Sequence, residues 1–286
     1  MVAHRGASAA IAEHTLGAYV AALDQGADAL ECDVRLTSDG HLVCVHDHDL
    51  RRTAHLDGTV STMDLADLEN LDIASWKHPW ADLDDDVPES DPELARLLTL
   101  RRLLETAADY PRRVELAIET KHPTRYTGLV ERRLVRLLDE FGWAGKSSPA
   151  RVMSFSWLAL RRIRRLAPDL ELVLLISTPM QWYRSRPFID GDWIAGPGIE
   201  LVRSHPGLID RMVRGGTRAH CWTVNSTRDI DLCVALGIEA IITDTPGAAV
   251  SHIGTLTDSR LRRRSPGQYR SRPLPNPSPE AETVRG

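Results

Sequence analysis

The four cysteines of this 286-residue sequence form no CxxC pair, which excludes a zinc knuckle or a dithiol redox motif. Cys32, Cys44 and Cys221 lie in apolar, strand-like runs and read as small buried hydrophobes. Aromatic residues make up only 5 %, little material for a large hydrophobic interface, so a monomer or weak homodimer is expected. No apolar run approaches a membrane span of roughly 18 residues. No signal-peptide pattern opens the chain, so the expected location is cytoplasmic, without stable membrane insertion. The first motif begins at His4 with almost no strand before it, which leaves room for a native start upstream. There is no basic surplus either: a net charge of −5 argues against nucleic acid as a partner.

The charge that is present is unevenly spread. From Thr255 onward seven Arg face only Asp258, Glu280 and Glu282, and Pro266, Pro273, Pro275, Pro277 and Pro279 interrupt the segment. Residues 255–286 therefore read as a disordered Arg/Pro-rich tail. Upstream, strand-like and helix-like segments alternate, the pattern of a parallel α/β fold. Strands are expected at Val2–His4, Ala29–Leu36, Leu42–His46, Val114–Lys121, Arg151–Phe155, Glu171–Ser177, Arg218–Val224 and Glu239–Thr243. Trp193–Ile199 makes a ninth candidate for eight places and reads as less than a full barrel strand. The expected fold is a (β/α)8 TIM-like barrel over residues 1–254, with an insertion after the third strand. That insertion, residues 47–113, reads as a decoration of the barrel rather than a separate core, and includes an exposed acidic run from Asp82 to Glu93.

Side chains at i and i+2 of a strand share a face. Glu31 and Asp33 therefore stand side by side, with Leu30, Cys32 and Val34 on the opposite face. Like charges this close raise each other's pKa unless a cation sits between them, and hard divalent cations take such oxygen ligands. On the strand Val114–Lys121, Glu119 and Lys121 share one face near the C-terminal end, the end at which barrel active sites lie. His4 and His46 also end strands, as candidate proton-transfer groups. Arg5 offers a planar fork for phosphate, and Gly6 lets backbone approach a ligand closely. Taken singly, an ExD pair is more often a salt-bridged surface pair, and a lone His a structural one. His41 and His48 read that way. A barrel would bring the remaining groups to one rim, where their coincidence is hard to assign to structure alone.

In order along the chain, Ala3-His4-Arg5-Gly6, Glu13-His14-Thr15-Leu16, Glu31-Cys32-Asp33-Val34, Thr37-Ser38-Asp39-Gly40, Val45-His46-Asp47, Ile118-Glu119-Thr120-Lys121, Ser154-Phe155, Cys221-Trp222-Thr223-Val224-Asn225 and Ile242-Thr243-Asp244-Thr245-Pro246 resemble the motifs of the glycerophosphodiester phosphodiesterase family. The resemblance runs from about residue 3 to 250. It implies metal-dependent hydrolysis of a small-molecule glycerophosphodiester to glycerol 3-phosphate and an alcohol. Glu31, Asp33 and Glu119 would hold one divalent cation, Mg²⁺ or Ca²⁺. His4 and His46 would be the acid–base pair, Arg5 and Lys121 would bind phosphate, and Trp222 would pack on the glycerol carbons. The insertion would shape the glycerol side of the site. Which His is acid and which base stays open, as does attack by water or first by the glycerol 2-hydroxyl. Two other readings stand beside it: a lysophospholipase D-type lipid phosphodiesterase, and an inactive barrel acting as a binding module. A phosphosugar isomerase would need a Gly-rich phosphate turn, of which Thr243–Gly247 is a poor version. The family's Asn in ENTL is His14 here, a departure expected to bear on the alcohol side of the substrate rather than on the reaction.

Overall fold

The structure is a computed structural model and describes residues 1–78, 92–122, 124–126, 128–189 and 191–264. Its strands are β1 (Val2–His4), β2 (Ala29–Leu36), β3 (Leu42–Cys44), β4 (Asp49–Leu50), β5 (Leu56–Thr59), β6 (Glu115–Thr120), β7 (Ala150–Ser154), β8 (Glu171–Ile176), β9 (Trp193–Pro197), β10 (His220–Cys221) and β11 (Ala240–Thr243). The helices are α1 (Leu16–Asp24), α2 (Arg51–Ala54), α3 (Leu65–Leu68), α4 (Pro92–Ala95), α5 (Leu100–Asp109), α6 (Leu129–Glu140), α7 (Trp157–Leu166), α8 (Pro179–Ser185), α9 (Ile199–Ser204), α10 (Pro206–Arg214), α11 (Thr227–Ala235) and α12 (Pro246–Arg264). No helix among the described residues is long and apolar enough to cross a membrane.

Eight of the strands form a parallel ring in the order β1-β2-β6-β7-β8-β9-β10-β11, with β11 returning to β1 through Val2↔Ile242 and Ala3↔Thr243. The β9–β10 edge is joined by single bridges, Ala195↔Ala219 and Gly198↔Trp222. The strand period of two sorts side chains between two layers. Ala117, Met153, Val173, Ile194 and Ile242 fill the interior. Leu30, Cys32, Leu116, Ile118, Leu172 and Leu174 face the helices in the main core. Each fully buried Leu or Ile there contributes roughly 1.5–3 kcal/mol by leaving water. All four cysteines are buried and free. Helices start where a side chain satisfies the first free N–H groups: Thr15 accepts from Ala18, Ser156 from Ala159 and Ser226 from Asp229, while Thr178 and Gln181 form a reciprocal capping box. At the N-terminal ends of the strands, Arg151 pairs with Glu115, and Arg218 bridges Glu171 and Glu239.

The nine strand candidates resolve differently from expectation. Trp193–Pro197 is a full member of the ring, buried throughout and paired with β8 over five positions from Leu172↔Trp193 to Ile176↔Pro197. The surplus strand is β3, which pairs antiparallel with β2 through Val34↔Cys44 and Leu36↔Leu42 and stands outside the ring. The turn at Ser38-Asp39-Gly40 is too short for a crossover, so the chain must fold back as a hairpin. The insertion also differs from a bare decoration. Val43, Val45, Leu50, Val60, Leu68, Ile73 and Leu97 make a small cluster of their own between β3 and the barrel's next helix. The acidic run and Trp80 fall largely outside the described residues. The chain continues as helix to Arg264, into the segment expected to be disordered, where no Pro precedes position 266. Residues 265–286 lie outside the described residues.

Candidate active site

Register explains how the acidic groups meet. His4 lies opposite Glu31 in the β1–β2 pair, and Asp33 lies opposite Glu119 in the β2–β6 pair. Three successive ring strands thus deliver their charged residues to one mouth. Ligand atoms of Glu31, Asp33 and Glu119 all lie within 4.8 Å of one another, and all three residues are buried. A cavity of about 190 Å³ opens above them, lined by His4, Arg5, Glu31, His46, Glu119, Lys121 and Trp222 together with Phe155 and apolar interior residues. His4, Arg5, Glu31, His46, Glu119, Lys121 and Trp222 thus share one cavity, and Asp33 is tied to it through Arg5 and Lys121. His41 and His48 are exposed and stand outside this cavity.

The charges are tightly interlocked. Asp33 accepts from His14 Nε2 at 3.0 Å and pairs with Arg5 Nε at 3.0 Å and Lys121 Nζ at 2.9 Å. Lys121 also pairs with Glu119 at 2.8 Å, and the Arg5 backbone N–H donates to Glu31 at 3.1 Å. Burial pushes the Asp33 carboxyl up, but the His14 bond and the Lys121 charge outweigh it and hold the pKa well below the carboxylate range. At Glu31 burial, then repulsion from Asp33, outweigh the Arg5 and Lys121 charges and raise the pKa well above that range. Burial and Asp33 likewise push Glu119 up to about 8. Two of the three carboxyls thus favour a proton where no cation is present. An all-oxygen cluster with surplus negative charge is the donor chemistry a hard divalent cation takes, so these residues fit one.

Both histidines are oriented by carboxylates at Nδ1. His4 is bonded to Asp244 at 2.6 Å, and its Nε2 points toward Glu31 at 4.0 Å. His46 is bonded to Asp47 at 2.8 Å, and burial lowers its pKa. Asp244 is fixed in turn by Ser8 at 3.0 Å and Asn225 at 2.6 Å; burial would raise its pKa, but the His4 bond leads the groups that bring it to about 2. Asp47 accepts from Arg52 at 2.7 Å, Arg52 donates to Glu13 at 2.7 and 2.9 Å, and Arg5 donates to Glu13 at 3.0 Å. A continuous chain of charged bonds therefore runs from Asp33 through Arg5, Glu13, Arg52 and Asp47 to His46.

Backbone strain concentrates at the same place. Arg5 and His14 have left-handed φ of 56° and 60°, and the His14 N–H donates to the Arg5 carbonyl at 3.1 Å. Gly6, at φ 86°, has no room for a Cβ, which would sit 2.6 Å from the Ala18 backbone. His14 is bonded into the same site. It is buried between Tyr19 at 2.8 Å and Asp33 at 3.0 Å, within the carboxylate cluster. Asp244, Asp47, Glu13 and Arg52 received no role from the sequence. Asp244 directly follows the end of β11 and Asp47 follows His46 in the chain, the signals that could have singled them out; Arg52 carries none. Trp222 donates Nε1–H to the Gly196 carbonyl at 2.7 Å and meets Phe155 edge-on with ring centroids 5.4 Å apart.

The sequence profile described as "Glycerophosphoryl diester phosphodiesterase family" matches residues 4–248. A Mycobacterium tuberculosis protein named "Probable glycerophosphodiester phosphodiesterase 1" is 46 % identical over 251 residues, covering 86 % of this chain and 89 % of its own. A Bacillus subtilis protein named "Glycerophosphodiester phosphodiesterase" is 31 % identical over 255 residues, covering 86 % and 83 %. Among solved structures, an Oleispira antarctica phosphodiesterase superposes with a TM-score of 0.73 at 24 % identity, over 88 % of this chain and 96 % of that one. These matches span both ends of the barrel and every motif at its mouth, and the chain belongs to the glycerophosphoryl diester phosphodiesterase family.

Proposed function

We propose that this protein hydrolyses glycerophosphodiesters to glycerol 3-phosphate and an alcohol, with Glu31, Asp33 and Glu119 holding one divalent cation, Mg²⁺ or Ca²⁺. The observation that carries this reading is the three-carboxylate cluster within 4.8 Å, facing a cavity lined by two histidines, an arginine and a lysine. The relative of known structure from Oleispira antarctica is described in complex with the product sn-glycerol-3-phosphate, which supports the same substrate class here. When bound, the cation polarises a phosphoryl oxygen and helps to acidify the attacking hydroxyl. Arg5 and Lys121, drawn to the floor by Asp33, supply the positive charge that meets the phosphate. One of His4 and His46 takes the proton of the nucleophile, and the other gives a proton to the departing alkoxide. Their Nδ1 carboxylate partners leave Nε2 for that transfer and stabilise the imidazolium that forms. Trp222 offers its ring face to the glycerol carbons. Residues 1–254 act as the catalytic barrel, residues 47–113 bound the glycerol side, and residues 255–286 are an appended tail. The enzyme works in the cytoplasm as a monomer or weak homodimer.

The test is release of glycerol 3-phosphate from glycerophosphocholine by the purified protein, with and without chelator, beside His46→Ala. Release should stop with chelator, and should fall by about 10²–10⁴-fold in the variant. Chelator-resistant release, or full activity of His46→Ala, would reject the mechanism. Metal binding without release would reject the simple substrate.

A further inference from the structure

Eight large hydrophobic side chains stand exposed among the described residues, and they are not scattered. Phe155, Leu158 and Leu166 follow β7, and Met180, Tyr183 and Phe188 follow β8, so six of the eight sit on two adjacent βα units. Met180 is 63 %, Tyr183 53 % and Leu158 49 % exposed. Single exposed apolar residues are ordinary, but a contiguous group marks a docking surface. The two units are tied together by Trp157 stacked on Phe188, with ring centroids 4.2 Å apart. The group also reaches the chemistry, because Phe155 lines the catalytic cavity and packs against Trp222. In the ring order β7 and β8 stand opposite β11 and β1.

The charge on the same segments is of one sign. Residues 155–168 and 172–189 contain Arg161, Arg162, Arg164, Arg165, Arg184 and Arg186 and no Asp or Glu, with Asp169 and Glu171 in the link between them and Arg162 paired with Glu131 at 2.9 Å. Arg165, Arg184 and Arg186 are exposed, and Arg161 lies over the Trp157 ring, 5.9 Å from its centroid. Aromatic and aliphatic side chains beside the exposed Arg165, Arg184 and Arg186 suit a surface that is apolar beneath and negatively charged above. We propose that the β7–α7 and β8–α8 edge docks on an anionic lipid bilayer. The aromatic rings would sit at headgroup depth, the arginines on lipid phosphates, and the catalytic mouth against the membrane. Given the phosphodiesterase reading above, the substrates this favours are lysophospholipids, whose headgroup enters the cavity while the acyl chain stays in the bilayer.

The full chain is sedimented with vesicles of phosphatidylglycerol and phosphatidylcholine, and with phosphatidylcholine alone. The proteins compared are wild type, Leu158→Ser/Met180→Ser/Tyr183→Ser, and Arg184→Glu/Arg186→Glu. Binding should require phosphatidylglycerol and weaken as salt is raised, and each variant should lower the bound-to-free ratio by about tenfold. Hydrolysis of glycerophosphocholine, a soluble substrate, should be the same in all three proteins. Wild-type binding no greater than to phosphatidylcholine alone overturns the proposal. So does anionic binding that neither variant weakens, which would assign the contact to the Arg-rich tail. A wild-type dimer that the apolar variant splits, with no vesicle binding, makes this edge a self-interface instead. Absence of hydrolysis in all three proteins would count against the catalytic reading while the sedimentation still decides the docking.

Discussion

Asp244 touches no substrate atom in the proposed mechanism, yet its bond to His4 Nδ1, 2.6 Å long, decides which nitrogen of the ring faces the cavity. Asp244→Asn keeps the shape and removes the charge, so the wrong tautomer becomes accessible. We expect kcat for glycerol 3-phosphate release to fall by about 10²–10⁴-fold with KM little changed and circular dichroism unaltered. A proportional rise in KM would instead make Asp244 a substrate contact. At this scale the sequence was informative wherever a charged residue ended a strand, because strand period alone aims Glu31, Asp33, Glu119 and Lys121 inward. It was uninformative for Arg52 and Glu13, which meet through a tertiary contact between segments 39 positions apart. His14 falls between these cases. Its motif position was visible, but its left-handed backbone and its bond to Asp33 were not.

Among the elements, β3 and β9 exchange the roles that pattern suggested. β9 runs Trp-Ile-Ala-Gly-Pro, a poor strand by composition, because Gly196 faces a crowded interior. A Cβ on Gly196 would stand 2.7 Å from the Leu175 side chain and 3.0 Å from that of Val173. Packing between β8 and β9 therefore selects glycine here, against local propensity. Gly196→Val should destabilise the protein by about 1–3 kcal/mol in urea denaturation, through overpacking. An unchanged midpoint would mean that Leu175 moves aside freely. Conversely, the apolar run at Leu42–Cys44 reads as strand and is one, but periodicity cannot say whether a strand joins the ring or only flanks it. Connection length can, and the short turn after β2 was the usable clue.

For the whole molecule, alternation of elements was enough to give the barrel, while its charge balance emerges only from the assembled structure. Glu119, raised to about 8 by burial and Asp33, holds more protons folded than unfolded. Glu31 is shifted the same way. Metal-free protein should therefore lose stability as pH rises from the ordinary carboxylate range through about 8. Below about pH 6.5 the buried His14, whose burial lowers its pKa, works in the opposite sense, so the clean window lies between about 6.5 and 8. In that window Tm should fall with pH in chelator, added Mg²⁺ or Ca²⁺ should raise it more at the upper end, and Glu119→Gln should flatten the slope. A slope that Glu119→Gln leaves untouched would place the titration elsewhere.

The ring is thin on both sides of the short β10, which pairs with β11 at only two positions. Where β2 and β6 pair over six positions, β9 and β10 meet only at the bridges Ala195↔Ala219 and Gly198↔Trp222. Cooperative opening starts where the fewest bonds must break, so amide protons at Ala195 and Trp222 should exchange faster than those of Leu116 or Ile118. Equal protection would show a barrel that opens only as a whole. Because Trp222 forms both the β9–β10 seam and a wall of the catalytic cavity, heating would be expected to loosen that wall first. Activity would then be lost at a lower temperature than the helical signal, and the barrel would act as its own thermal fuse.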